Sequence, residues 1–171
     1  TGSDFYTQLL KFRGILLHSS CVVVDGAAYA FSADSGTGKS THTALWLKHF
    51  GNRAYMLNDD KPAIRLVGDR VYACGTPWSG KTPCWRRVTL PLGGVARLRQ
   101  APENRFIPLS GIEAFVAFIP GMSVMTSDSA LYSAASSTAL DILAAVPAGI
   151  LECLPDADAA RLCFVSFKGE R

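Results

Sequence analysis

Residues 27–50 constrain the fold of this chain most, because they combine an apolar run, a glycine-rich turn and a helical segment without interruption. The apolar run AAYAF (27–31) is predicted to be a strand, and the Asp-Gly pair just before it is a strong hairpin signal. Residues 40–50 are predicted to be helical, since Ala44, Leu45 and Leu47 supply apolar surface and Gly51 follows as a natural stop. The stretch therefore predicts a strand, a loop and a helix in direct succession.

The loop of this unit, ADSGTGKS at residues 33–40, has the composition of a phosphate-binding loop. The usual pattern is Gly, four residues and then Gly-Lys-Ser/Thr, and Ala33 stands at the first glycine position. In such a loop successive backbone N–H groups converge on phosphate oxygens, and the start of the helix adds a favourable dipole. Gly36 and Gly38 let the chain turn without a Cβ clash. Ala33 fits at little cost if its φ angle is negative, which we expect.

This loop predicts a nucleotide site that uses ATP and Mg²⁺. Lys39 would reach the outer phosphates, and the Ser40 hydroxyl can join the shell of a magnesium ion. The residues predicted to bind the nucleotide are Ala33, Asp34, Ser35, Gly36, Thr37, Gly38, Lys39, Ser40 and Thr41.

Magnesium also needs an acidic ligand, and Asp59-Asp60 follows the short apolar run at residues 54–57. If that strand lies beside the strand that leads into the loop, both carboxylates point toward the phosphates. One aspartate could bind the metal while the other accepts a proton from an incoming hydroxyl. We assign Asp60 and Ser40 to the metal and Asp59 or His18 to the proton, although spacing alone does not distinguish the two aspartates.

Further candidates come from His18 and from the segment GTPWSGK at residues 75–81. His18 ends the strand before the hairpin, where it could contact phosphate or share a proton with an aspartate, or be structural. His42 and His49, seven residues apart on the predicted helix, are interpreted as structural. The cations expected to neutralise the transferring phosphate or hold an anionic acceptor are Lys81, Arg86 and Arg87. The segment 75–81 is predicted to form a second wall of the nucleotide pocket. Trp78 and Trp85 either line that wall or serve only in packing.

Composition indicates a globular protein, with 49% hydrophobic and 18% charged residues. We expect one domain over residues 1–171, with residues 1–12 as an N-terminal extension or a cloning remnant. A net charge of +3 is too small to predict nucleic-acid binding, although residues 61–105 hold nine basic and two acidic residues. Five cysteines without a C-x-x-C pair are typical of reduced thiols in a cytoplasmic protein. No apolar run approaches the ~20 residues of a membrane span, so we expect no membrane partner.

The remaining pattern predicts an α/β (α+β-like) fold with a mixed β-sheet and helices mainly in the C-terminal third. Residues 75–87 are predicted to be a long loop. Other strands are predicted at 14–19, 21–24, 61–66, 70–74, 149–153 and within 88–108. The helices of the last third are predicted at 110–119, 131–145 and 156–163.

Together these motifs resemble the catalytic domain of the HPr serine kinase/phosphorylases and their relatives, including the ATP-dependent phosphoenolpyruvate carboxykinases. The family loop x-x-Ser-Gly-x-Gly-Lys-Ser/Thr matches residues 33–40. An upstream histidine matches His18 in LLHSS, and the Asp-Asp pair after one helix and one strand matches Asp59-Asp60. GTPWSGK and residues 146–162 look like a compact HPr-kinase-like branch. The resemblance covers residues 13–163 and implies that Lys39 and Ser40 serve the phosphates and Mg²⁺, with one aspartate as metal ligand and the other as base.

The sequence departs from the family at two points. The Glu-Val-Arg-Gly-Leu-Gly signature of HPr kinases is not found after the aspartates, and the separate N-terminal domain of those kinases is not part of this sequence. HPr as acceptor and phosphorylase activity are therefore left open. The carboxykinases are much longer, so we favour a kinase.

We predict an ATP- and magnesium-dependent kinase that phosphorylates a serine-type hydroxyl on a protein, peptide or small molecule. The alternative is a non-catalytic nucleotide- or phosphate-binding regulatory module. A sulfate- or phosphate-sensing protein would use the same loop without needing Asp59-Asp60. Because HPr kinases assemble as hexamers, the resemblance also favours a homo-oligomer.

Overall fold

The structure is a computed structural model that describes residues 2–78, 86–123 and 128–169. Within these residues the first half of the chain consists of α1 (Gly2–Lys11), β1 (Gly14–Leu16), β2 (Ser20–Val24), β3 (Ala27–Ser32), α2 (Lys39–Phe50), β4 (Ala54–Asn58), β5 (Ala63–Val67) and β6 (Arg70–Cys74). The second half consists of β7 (Thr89–Gln100), β8 (Arg105–Leu109), α3 (Gly111–Phe118), α4 (Ser129–Ala145), β9 (Ala148–Cys153) and α5 (Ala157–Phe167).

The strands form one mixed sheet in the order β1-β5-β6-β7-β3-β2-β4, with β9 on β7 and β8 on β9. β3, β7 and β9 are parallel neighbours. β2 is antiparallel to both β3 and β4, so β4 runs in the same direction as β3. The carboxyl ends of β3, β4, β7 and β9 therefore lie at one edge of the sheet, which is where α/β proteins bind ligands. The predicted fold class, α/β with a mixed sheet, is confirmed.

Helices cover both faces of the central strands. β3 is almost wholly buried, and its side chains alternate between two hydrophobic cores. Ala28 and Ala30 contribute to the core that includes residues of α3 and α4. Tyr29 and Phe31 contribute to the other core, with residues of α2 and α5. A fully buried strand of this kind fixes the position of the loop that follows it.

The hairpin between β2 and β3 forms as the sequence predicts. Asp25 and Gly26 both have positive φ, 51° and 82°, which is the backbone that a two-residue hairpin turn requires. The strand predicted at 14–19 is shorter, because Leu17 and His18 turn to other partners. The Leu17 N–H donates to the Pro62 carbonyl and the His18 N–H to the Gly121 carbonyl.

Residues 2–11 form a helix that the sequence patterns did not predict. Tyr6 and Leu10 of α1 are buried in a cluster with Ala135 of α4. No helix among the described residues has both the length and the apolar character needed to cross a bilayer. None of the four described cysteines, Cys21, Cys74, Cys153 and Cys163, forms a disulfide bond.

Candidate functional site

The glycine-rich loop joins the carboxyl end of β3 to the first residue of α2. Gly36 and Gly38 have positive φ, 79° and 108°, a conformation that L side chains rarely adopt. Ala33 has a negative φ and is buried, so the expectation for this position is confirmed. The Thr37 N–H donates to the Asp34 carbonyl at 3.1 Å, which closes the turn. The loop thus has the backbone of a phosphate-binding turn that leads into a helix N-terminus.

Two side chains of β7 hold this loop from one side. Arg97, which pairs with Ser32 in the parallel register, donates from its guanidinium to the Asp34 carboxylate at 2.5 Å. The Gln100 amide donates to the Thr37 carbonyl at 3.3 Å. Sequence reasoning did not select either residue, because their position depends on a strand pairing across more than sixty residues, as in the Arg97–Asp34 contact.

On the other side of the loop, Asp59 lies next to Ser40. The Ser40 hydroxyl donates to both carboxylate oxygens of Asp59 at 3.1 Å. The buried Ser20 hydroxyl donates to Asp59 at 2.6 Å and contacts the Thr43 hydroxyl at 2.9 Å. A carboxylate and a hydroxyl side by side are oxygen ligands of the type Mg²⁺ prefers.

The described residues contain no group of three or more His, Cys, Asp or Glu that could hold a metal ion. A magnesium ion bound with a nucleotide does not require such a group, since it keeps several waters and takes phosphate oxygens with one or two carboxylates. The Ser40–Asp59 pair therefore fits Mg²⁺ in that setting.

Asp60 has a different neighbour, His18. Their side chains approach to 3.4 Å between Nε2 and Oδ1, and both are partly exposed. Burial lowers the pKa of His18 from its usual 6.5, the positive charge of Lys39 lowers it further, and Asp60 opposes the shift. The Ser19 N–H also donates to the Asp60 carbonyl at 2.9 Å, which ties the aspartate to the segment that carries His18. The pair can therefore accept a proton close to the loop lysine.

Asn58 organises the turn that presents both aspartates. Its side chain is fully buried, and its carbonyl oxygen accepts from the N–H groups of Asp60 and Lys61 at 2.9 Å. Its amide donates to the Thr76 carbonyl at 3.0 Å. The Thr76 hydroxyl in turn donates to the Lys61 carbonyl at 2.6 Å. Sequence reasoning missed Asn58, although a polar residue directly before the acids at the end of an apolar strand is a usable signal.

The other predicted site residues lie as follows. Lys81 and Trp85 are outside the described residues, so the prediction for Lys81 is untested. The Arg86 guanidinium lies over the Tyr55 ring at 4.7 Å, and its Nε donates to the Met56 carbonyl at 3.2 Å, so it is held against β4. Trp78 packs edge to face on Phe5, with ring centroids 5.1 Å apart.

The interpretation of His42 as structural agrees with its place in the fold, whereas that of His49 stays a prediction. His42 is buried, accepts from the Trp46 indole N–H at 2.9 Å and meets the Phe31 ring edge-on. Burial lowers the pKa of His42 to about 4, so the imidazole is neutral at pH 7. His49 packs edge-on against Phe50.

Comparison with known proteins gives a result for structure only. No protein-family model matches the chain, and no curated protein sequence matches it. Solved structures that align with it include the HPr(Ser) kinase/phosphatase from Coxiella burnetii. That alignment covers 90% of this chain and 93% of the other, with 9% sequence identity and a TM-score of 0.47.

Proposed function

We propose that this chain is a magnesium-dependent kinase that binds ATP at residues 33–41 and transfers the γ-phosphate to a hydroxyl group. The observation that carries the proposal is the pairing of Ser40 with Asp59 at 3.1 Å, directly after a phosphate-type loop. The Asp60–His18 pair beside it supplies an acid–base group where an acceptor would approach. The acceptor is a serine-type hydroxyl on a protein, peptide or small molecule.

The loop binds the phosphates through its backbone. Gly36 and Gly38 give the loop the positive φ angles of a phosphate-binding turn, and α2 begins directly after them, so its dipole favours an anion. Lys39, the first residue of α2, interacts with the outer phosphates and balances the charge that develops during transfer. Lys81 remains a predicted second cation.

Ser40 and Asp59 hold the magnesium ion in this proposal. The sequence pattern favoured Asp60 as metal ligand and Asp59 as base, and the distances favour the opposite division. Asp59 is the aspartate that reaches the Ser40 hydroxyl, and Ser20 fixes its orientation. When bound, Mg²⁺ would neutralise the negative charge of the phosphates.

Asp60 then accepts the proton of the acceptor hydroxyl. The acceptor oxygen forms a bond to the γ-phosphorus, the bond from that phosphorus to the β–γ bridging oxygen breaks, and ADP leaves. His18, whose pKa is lowered by burial and by the positive charge of Lys39, orients Asp60 or receives the proton from it.

The test is label transfer from γ-labelled ATP with Mg²⁺ to HPr, free serine and a cell lysate of the source organism. Lys39→Ala and Asp59→Ala should abolish transfer and weaken ATP binding. Asp60→Asn should leave ATP affinity within about threefold and lower transfer by about 10²–10⁴-fold, the usual contribution of a general base. Lys48→Ala, at an exposed position in the last turn of α2, is the matched control and should behave as the unmodified chain.

Two results would count against the proposal. ATP binding without transfer to any acceptor favours the regulatory module instead. Loss of ATP affinity in Asp60→Asn with normal affinity in Asp59→Ala would reverse the division of roles between the two aspartates.

A further inference from the structure

A cavity of about 490 Å³ opens directly beside the phosphate loop, on the side away from Asp59. It is lined by Gly36 and Gly38 of the loop, by residues 98–101 at the end of β7 and just after it, and by residues 153–155 at the end of β9 and just after it. Its volume lies within the roughly 300–1,000 Å³ typical of small-molecule sites. The cavity extends beyond the loop residues that would hold the phosphates, toward the ends of β7 and β9.

The strand order separates the cavity from the acids. β7 and β9 lie on one side of β3, and β2 and β4 lie on the other. The carboxyl ends of β7 and β9 supply the cavity, whereas the end of β4 and the start of β2 supply Asp59 and Ser20. A molecule held by its phosphates in the loop therefore has the acids at one end and the cavity at the other.

The lining of the cavity suits a nucleoside. Leu45, Leu98 and Pro155 supply apolar surface, and Leu154 is 38% exposed at the lining, where a flat ring would cover it. Thr37, Thr41 and Gln100 supply polar groups within the same lining. Mostly apolar walls with a few polar groups are what a purine and its ribose require.

Resting on the proposed function, we infer that this cavity receives the base and ribose of the nucleotide whose phosphates lie in the loop. Leu45 and the segment Cys153–Pro155 then determine which nucleotide is used. The acceptor approaches from the opposite side, along the turn that carries Asp59 and Asp60.

The test compares MgATP with magnesium tripolyphosphate, which has the phosphates and lacks the nucleoside. By calorimetry the unmodified chain should bind ATP at least tenfold more tightly than tripolyphosphate. Leu45→Trp, which fills the cavity, should weaken ATP binding at least tenfold and leave tripolyphosphate affinity within twofold. Ala44→Trp is the matched control, because Ala44 is exposed on the same helix and does not line the cavity.

Cys153 gives a second readout that needs no substitution. Burial raises the pKa of this thiol, so alkylation is run at alkaline pH and followed by peptide mass spectrometry. ATP should slow the labelling of Cys153 at least fivefold, and tripolyphosphate should leave it within twofold. Protection by neither ligand, or equally by both, overturns the inference even if Leu45→Trp fails to fold.

Failure of this inference can be told apart from failure of the proposed function. If both ligands bind and Lys39→Ala abolishes both, but ATP does not protect Cys153, the phosphate site stands and the nucleoside site is overturned. If neither ligand binds the unmodified chain, both are overturned.

Discussion

At the scale of single residues, His42 shows how the helix after the loop is anchored. Its imidazole lies between the Phe31 ring and the Trp46 indole, and Nε2 accepts the indole N–H. This arrangement holds only for the neutral ring, because a protonated imidazole would present an N–H to the Trp46 donor. The packing of α2 on β3 therefore depends on the protonation of one side chain.

We predict that acid weakens the fold through His42. Its pKa is about 4 in the folded chain and about 6.5 when unfolded, so between those values the unfolded state binds the extra proton. The stability that the neutral His42 contributes to the fold is fully present above pH 6.5 and is lost as the pH falls toward 4. The total loss is on the order of 3 kcal/mol. Urea denaturation at pH 7 and pH 4.5 measures it.

His42→Gln is the test variant, because the Gln carbonyl can still accept from Trp46. Its loss of stability between the two pH values should be about 2 kcal/mol smaller than that of the unmodified chain. His49→Gln, at an exposed position on the same helix, should keep the full pH dependence. Equal pH dependence in His42→Gln and the unmodified chain would show that another group is responsible.

The sequence was informative for residues that form contiguous motifs. Lys39, Ser40 and Asp59-Asp60 could be selected because the chemistry of phosphate and metal binding restricts their types and order. Ser20 could not, because its role depends on contacts between separate strands and on burial, whereas Asn58 carried only the weaker signal of a polar residue directly before the acids. The same limit explains why the sequence did not distinguish Asp59 from Asp60, which are adjacent in sequence and differ only in their neighbours.

At the scale of secondary structure, β7 contains two consecutive glycines, Gly93 and Gly94, at the point where the rings of Tyr29 and Phe167 pack against it. A Cβ at Gly94 would lie 2.4 Å from the Phe167 ring, and one at Gly93 would lie 2.6 Å from the Tyr29 ring. The two glycines therefore let Tyr29 of β3 and Phe167 of α5 pack down onto the sheet. Their φ angles are not positive, so space rather than backbone conformation requires glycine here.

We predict that Gly94→Ala lowers the free energy of unfolding by about 1–3 kcal/mol, the usual cost of overpacking a core. Phe167→Leu should recover part of this loss when combined with Gly94→Ala, because it removes the ring that the new methyl group meets. A double-mutant cycle from urea denaturation measures the coupling. If the effects of the two substitutions on the free energy of unfolding simply add, the methyl group of Gly94→Ala does not press on the Phe167 ring.

The sequence patterns predicted the positions of most helices and strands along the chain. They did not predict the order of the strands in the sheet. The stretch 88–108 was predicted as strand, and it forms β7 and β8 with a break at residues 101–104. The parallel pairing of β7 with β3 and with β9 joins residues that are 64–65 and 53 positions apart in the chain. Such parallel pairings form because several distant strands are buried together in one sheet. No single stretch of sequence contains that information.

At the scale of the whole molecule, α1 closes one side of the sheet. Tyr6 and Leu10 pack on Ala135 of α4, and Leu9 packs with Leu16 and Ala63. The helix thus links the first strand to the helical layer formed by the C-terminal third.

We predict that α1 unfolds together with the rest of the chain. Leu10→Ala should lower the free energy of unfolding by about 2–4 kcal/mol, as expected for truncating a buried leucine. Gln8→Ala, at an exposed position on the same helix, should change it by less than about 0.5 kcal/mol. Equal denaturation midpoints for the two variants would show that the helix is not part of the cooperative unit.

The central position of β3 has a consequence for how such a protein can diversify. The loop after β3 adjoins both the cavity and the turn that carries the aspartates. The surfaces on its two sides belong to different strands, β7 and β9 on one side and β2 and β4 on the other. Under the proposed function, exchanging residues 98–101 and 153–155 between related chains should alter the choice of phosphate donor without touching the turn at residues 58–61. Donor preference and acceptor chemistry would then be inherited, or engineered, as independent traits.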